Sequence, residues 1–261
     1  MNIIAIDIGN TNITIGLYLN DEEQFIKSIP GDSKPELTNC LKSAWQKVPV
    51  VKTSKDKKRE GAIVVSSVKP AWTKLVKQIA KESLGEKILL IGKDVPLPMA
   101  LWVDEPDKVG TDRVVSAAAA YEVVEDAVAV ADFGTAITID LVNDKGIFLG
   151  GVILPGFEIS AKALNENTAQ LPYIKIEKPK EPFGKNTAEA INCGLYYSAV
   201  AALQEITRRY AEKIGKWPHT ILTGSAAKMI KDDCEFVDSW VPNLTIKGIV
   251  LAYRKYIEET E

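Results

Sequence analysis

Asp7, Gly9 and Thr11 lie between two short apolar runs, Ile3 to Ile6 and Ile13 to Tyr18. Asp132, Gly134 and Thr135 lie between two more, Val128 to Ala131 and Ala136 to Leu141. A carboxylate at the end of a buried strand is costly unless it binds a cation or accepts hydrogen bonds. The glycine and small polar residues that follow make a tight turn whose amides and hydroxyls suit an anion the size of phosphate. A lone Asp-x-Gly-x-Thr is more often a capped hairpin turn and nothing else. Its recurrence at the same point of a second strand-turn-strand shifts the balance towards function. Two related halves facing a common cleft are expected, with Asp7 and Asp132 suited to a metal-complexed polyphosphate.

A third acid stands in Gly110-Thr111-Asp112-Arg113, ahead of a small-residue helix expected over Val114 to Val124 that includes four consecutive alanines from Ala117. The glycine supplies a turn, and Thr111 and Asp112 stand where helix caps lie, at the positive end of the helix dipole. Such a place can bind and deprotonate a polar substrate; the plainer alternative is an N-cap whose arginine pairs at the surface. Gly184-Lys-Asn-Thr187 precedes a long amphipathic helix, Ala188 to Lys213, whose first turn offers N–H groups and the Thr187 hydroxyl to an anion or an alcohol. As a plain N-cap, Thr187 is structural. Thr223-Gly224-Ser225 follows an apolar run and has the spacing of a loop that touches a nucleotide.

The elements that must carry these groups read in order as β-β-β-α-β-α-β, a connecting helix, then β-β-β-α, a long helix, β-α and a last helix. Strand, helix, strand over Ala62 to Ile91 implies a parallel crossover. The fold class is α/β, with a domain boundary within about four residues of Val114, giving domains 1–114 and 115–261. With 261 residues the chain can bury a large core, and 46% hydrophobic with 26% charged residues is ordinary for a globular protein. A net charge of −3 argues against coating nucleic acid. The basic run Lys52 to Arg59 reads as a solvated connector. Three scattered cysteines without Cys-x-x-Cys spacing fit a reducing cytoplasm and supply neither zinc site nor disulfide framework. His219, the single histidine, follows Pro218 and reads as a loop residue. Neither a signal peptide nor a membrane span is expected.

The five motifs Asp7-Ile-Gly-Asn-Thr11, Gly110-Thr-Asp-Arg113, Asp132-Phe-Gly-Thr-Ala136, Gly150-Gly-Val-Ile-Leu-Pro-Gly156 and Gly184-Lys-Asn-Thr187, in this order, give the chain a family likeness over nearly its whole length. It resembles the type III pantothenate kinases, members of the actin, sugar-kinase and Hsp70 superfamily with duplicated ribonuclease-H-like domains, mixed sheets flanked by helices. The resemblance implies ATP-dependent phosphorylation of pantothenate at its primary hydroxyl, the first step towards coenzyme A. By motif position, Asp7, Ile8, Gly9, Asn10, Thr11, Asn12, Ile13 and Thr14 form the phosphate-binding loop, and Thr135 is a further ATP contact. Gly110, Thr111, Asp112 and Arg113 hold pantothenate, with Asp112 as the catalytic base and Arg113 near the substrate carboxylate. Thr187 is a second substrate contact, and Asp132 ligates the monovalent cation, potassium or ammonium, that the family requires besides Mg²⁺. A homodimer completing the pantothenate pocket is implied too. The chain departs from the family at Val103, where many members carry tyrosine, and at Ser225, where the family's later turn reads Thr-Gly-Gly. Two other readings stay open: a nucleotide-binding accessory regulator without turnover, and a kinase or phosphatase of the same superfamily acting on a sugar or polyphosphate.

Overall fold

The computed structural model describes residues 1–51 and 58–260, so most of the basic run read above as a connector lies outside the described residues. In chain order the elements are β1 (Ile3–Ile8), β2 (Asn12–Leu19), β3 (Glu22–Pro30), α1 (Lys34–Lys47), β4 (Ala62–Ser67), α2 (Pro70–Ile79), β5 (Ile88–Leu90) and α3 (Thr111–Val124). They continue with β6 (Val128–Phe133), β7 (Ala136–Val142), β8 (Phe148–Pro155), α4 (Phe157–Glu166), α5 (Thr187–Ile214), β9 (His219–Thr223), α6 (Ala227–Ile230), β10 (Ser239–Trp240) and α7 (Leu244–Thr260).

The chain divides into two compact units, Met1–Met99 with Glu105–Ala119 and Thr245–Glu261, and Ala100–Asp104 with Ala120–Leu244. The sequence suggests one passage near Val114. The chain instead passes out and back around residues 100–104, passes again within α3 after Ala119, and returns at Thr245, so that α7 belongs to the first unit. The local cause is close helix packing: a Cβ on Gly248 of α7 would overlap the Val115 carbonyl of α3, so only a glycine lets the two backbones approach so closely. Ser116 Oγ and Thr245 Oγ1 share a hydrogen bond of 2.9 Å beside that crossing.

The first unit holds a five-stranded sheet of order β3-β2-β1-β4-β5, and the second a five-stranded sheet of order β10-β9-β6-β7-β8. Taking β1 with β6, β2 with β7 and so on, the two orders are the same. The pairing senses match as well. β1 is antiparallel to β2 and parallel to β4, while β6 is antiparallel to β7 and parallel to β9.

In β1, Ile4, Ile6 and Ile8 enter a core with Leu37 and Leu41 of α1 and Val76 and Ile79 of α2. Ile3 and Ala5 enter another core with Val115 of α3 and Ile246, Ile249 and Val250 of α7. A strand covered on both faces reads as an unbroken apolar run, which is why Ile3 to Ile6 shows no alternation. Asp7 is the next member of the Ile3–Ala5 row, at the end where that row runs out. In the second unit, Ala131, Phe133, Ile137 and Ile139 pack with Ala161 of α4 and with Tyr196 and Leu203 of α5.

Candidate active site

In the first unit, Asp7 sits opposite Thr14 of β2 on one side and Ser66 of β4 on the other. The Ser66 hydroxyl shares a 2.8 Å hydrogen bond with Thr111 Oγ1, which ties this sheet tip to the first turn of α3. Asp7 and the Gly110–Arg113 motif are thereby joined through a single buried serine. The helix starts at Thr111 rather than Val114, so Thr111, Asp112 and Arg113 are its first three residues, where a helix's N–H groups have no partner four residues back within it.

Asp112 folds back on its own turn: its Oδ1 accepts from the Arg113 backbone N–H at 2.9 Å. Burial pushes its carboxyl above the ordinary carboxylate range, and the Arg113 amide and guanidinium only partly offset that. An acid held so is a stronger base once ionised, as proton abstraction from an alcohol requires. The sequence assigns Gly110 to a turn, but its φ is not positive. What the position needs is room, because a Cβ there would overlap Asp112 Oδ1 and touch Val68 at 3.5 Å. Gly110→Ala is therefore expected to push the Asp112 carboxylate off its place and lower kcat by roughly 10- to 100-fold with the fold intact, since a displacement of about 1 Å can cost that much. Steady-state kinetics beside a melting curve checks it.

The turn after Asp7 is closed by Gly9 N–H donating to the Asn12 carbonyl at 3.0 Å. Gly31 N–H donates to the Thr11 carbonyl at 3.2 Å, and Lys69 Nζ to the Asn10 carbonyl at 2.9 Å. Three successive carbonyl oxygens are thus drawn into protein hydrogen bonds, which lowers the repulsion an anion would meet there. Gly9 makes its turn without a positive φ. Ile8 and Ile13 are fully buried in the core, so any part they take in binding runs through their backbone. Asn10, Thr11 and Asn12 are exposed.

The second unit repeats the design. Asp132 sits opposite Thr138 of β7 and Thr223 of β9. Gly156 N–H donates to the Thr135 carbonyl at 3.2 Å, as Gly31 does to Thr11, and each of these glycines follows the proline that ends its strand. Ala226 N–H donates to the Phe133 carbonyl at 2.9 Å, as Val68 does to Ile8 at 3.1 Å. These equivalences align Thr135 with Thr11 and leave Asn10 as the one extra residue of the first turn. Thr135 is exposed and Asp132 half-buried. Gly224 lies against that tip with φ +97, and a Cβ on it would overlap Asp132 Oδ1 and the Phe133 backbone. Val103 is half-buried in the second unit, 3.7 Å from where a Cβ on Gly150 would stand.

Thr187 is the first residue of α5 and exposed, but it is not the cap. Asn186 is: its side chain accepts from Glu189 N–H at 2.9 Å while Glu189 Oε2 accepts from Lys185 N–H at 2.8 Å. That reciprocal cap releases the Thr187 hydroxyl from the structural duty the sequence allowed it. Sequence reasoning passed over Ser66 and Lys69. The signals for them were the paired serines closing β4 and a lysine just before Pro70.

Two sheets of one strand order, each with an Asp-Gly turn at its tip, give the chain the fold of duplicated ribonuclease-H-like units, mixed sheets flanked by helices, the actin-like fold class. Solved structures agree on the fold. A conserved Baf family protein from Campylobacter jejuni superposes with a TM-score of 0.60 at 18% identity, covering 98% of each chain. The ethanolamine utilization protein EutJ from Carboxydothermus hydrogenoformans superposes with a TM-score of 0.51 at 15% identity, covering 95% of this chain and 88% of that one. The family model described as type III pantothenate kinase matches residues 3–209. The type III pantothenate kinase of Agathobacter rectalis is 34% identical over 97% of both chains. That of Halalkalibacterium halodurans is 32% identical over 98% of this chain and 100% of its own. The chain belongs to the type III pantothenate kinase family and is a kinase.

Proposed function

We propose that the chain transfers the γ-phosphoryl group of ATP to the primary hydroxyl of pantothenate, giving 4′-phosphopantothenate and ADP, the first step of coenzyme A synthesis. The observation that carries this reading is Asp112: a half-buried carboxylate of raised pKa in the first turn of a helix, tied through Thr111 and Ser66 to the Asp7 strand tip. In this reaction the acceptor oxygen attacks phosphorus, the bond from phosphorus to the ADP oxygen breaks, and the hydroxyl proton passes to Asp112. Little covalent chemistry is asked of the protein; alignment and charge neutralisation do most of it. The turn Asp7 to Thr14 holds the ATP phosphates and Thr135 is a further contact. Gly110, Thr111 and Thr187 hold pantothenate, with Arg113 near its carboxylate.

The donor set fits the ions that the family likeness implies. Among the described residues no three His, Cys, Asp or Glu side chains gather as a metal cage. Mg²⁺ needs none, because it binds through one or two carboxylates together with the substrate's phosphates, as Asp7 at its tip allows. When bound it would neutralise charge developing on those phosphates. Asp132, with Thr138 and Thr223 beside it, offers an all-oxygen setting suited to potassium or ammonium. We assign the protein to the cytoplasm, supported by its three free thiols. No helix among the described residues is long and apolar enough to cross a membrane. Pairing as a homodimer is supported by large apolar side chains exposed on the second unit, Ile153, Ile159 and Phe183 among them.

The test is ADP release in a coupled assay with MgATP and potassium, run across pantothenate, other hydroxy acids and simple sugars. Release that depends on pantothenate, and that drops when potassium is replaced by sodium, is expected. Release on a sugar with none on pantothenate would overturn the assignment.

A further inference from the structure

We infer that Lys69 is a phosphate-site cation of this kinase, one that both pins the first turn and lends it the positive charge its own residues lack. The inference rests on the reading that Asp7 to Thr14 receives the phosphates of ATP. None of those eight residues is basic. Lys69, which immediately precedes α2, reaches the turn from the end of β4 and donates from Nζ to the Asn10 carbonyl at 2.9 Å. Its ammonium also lies 3.2 Å from the centroid of the Trp72 ring. Trp72 in turn fills the space over Gly31, where a Cβ would overlap the indole. Gly31 holds the next carbonyl of the turn, that of Thr11. One indole thus seats both groups that grip the turn, and a cation held on an aromatic face is fixed in place without being neutralised. An ammonium has three donors, so Lys69 can keep the carbonyl and meet a phosphate oxygen at once.

The duplication separates this role from the demands of the fold. By the matched hydrogen bonds of Val68 and Ala226, Lys69 aligns with Ala227, and by the strand register of Asp7 with Ser66 and Asp132 with Thr223 it aligns with Ala226; either way the counterpart is an alanine. The second unit builds the same strand-turn-strand with no cation there. The extra residue of the first turn, Asn10, is the one whose carbonyl Lys69 takes. Insertion and cation occur together in one copy and are absent together from the other, as expected if both serve the phosphates rather than the sheet.

The experiment uses the full chain. MgATP binding is measured by titration calorimetry for the wild type, Lys69→Met and Lys69→Arg, beside steady-state kinetics and a melting curve for each. Lys69→Met is expected to raise Kd for MgATP about tenfold, the worth of one charge-assisted hydrogen bond. Lys69→Arg should recover most of that loss. In turnover the loss falls on KM for ATP more than on kcat or on KM for pantothenate, and the salt dependence of ATP binding flattens in Lys69→Met. A lower melting temperature with unchanged MgATP affinity in Lys69→Met would leave Lys69 a purely structural pin and overturn the inference. A tenfold loss of ATP binding supports it even in a protein that leaves pantothenate untouched, an outcome that sinks only the proposed reaction.

Discussion

Asp112→Asn is expected to lower kcat by about 10²- to 10⁴-fold, the usual worth of a positioned general base, with ATP affinity little changed. The same substitution should raise stability at neutral pH. Burial lifts the folded-state pKa of Asp112 above its unfolded value, so the folded protein binds that proton more readily. Its contribution to stability is then full at low pH and is lost as pH rises from the ordinary carboxylate range through the raised folded value. At pH 7, above the ordinary unfolded value, the buried carboxyl is a cost, and a neutral amide of the same shape relieves it. Melting curves should therefore show Asp112→Asn above the wild type at pH 7, the gap closing below about pH 4, where an unfolded aspartate also takes its proton. Loss of activity paired with gain of stability is the mark of a residue retained for chemistry. A variant inactive because it misfolds would show the opposite sign.

Gly224→Ala should be the most damaging small substitution in the second unit. The residue sits at φ +97, where an alanine is strained, and its new Cβ would overlap Asp132 Oδ1 and the Phe133 backbone. Strain of roughly 1–3 kcal/mol from the backbone alone, with the overlap added, makes a loss of about 3 kcal/mol or more the expected result in denaturant unfolding. Because Asp132 must move, and Asp132 is the proposed ligand of the monovalent cation, any surviving protein should also show no response to potassium. Serine 225, one residue on, is the contrast. Ser225→Gly restores the family's Thr-Gly-Gly turn at an exposed position and should leave stability within about 0.5 kcal/mol.

Much of this was legible in the residues. The recurrence of Asp, Gly and Thr announced the duplication, and the unbroken Ile3–Ile6 run announced a buried strand. Four things were not. The start of α3 was read three residues late, because Thr111 and Asp112 are as typical of caps as of first turns. The role of Gly110 was read as a turn because sequence shows a missing side chain but not what occupies its room; here that is the Asp112 carboxylate. The return of α7 to the first unit was invisible, since nothing local marks Gly248 as the point where two helix backbones touch. Lys69 escaped for the same reason. A lone lysine before a proline carries no period, and its partners, Asn10 and Trp72, meet it only once the sheet is assembled. Asn10 is 59 residues away in sequence.

The most direct test of the central claim, that Asp112 is the base for the acceptor alcohol, is the pH dependence of kcat/KM for pantothenate. The expected profile has an acid limb above the ordinary carboxylate range, with activity falling as Asp112 takes up its proton, and that limb is missing from the residual activity of Asp112→Asn. A wild-type profile flat down to pH 4, or an Asp112→Asn enzyme with undiminished turnover, would contradict it.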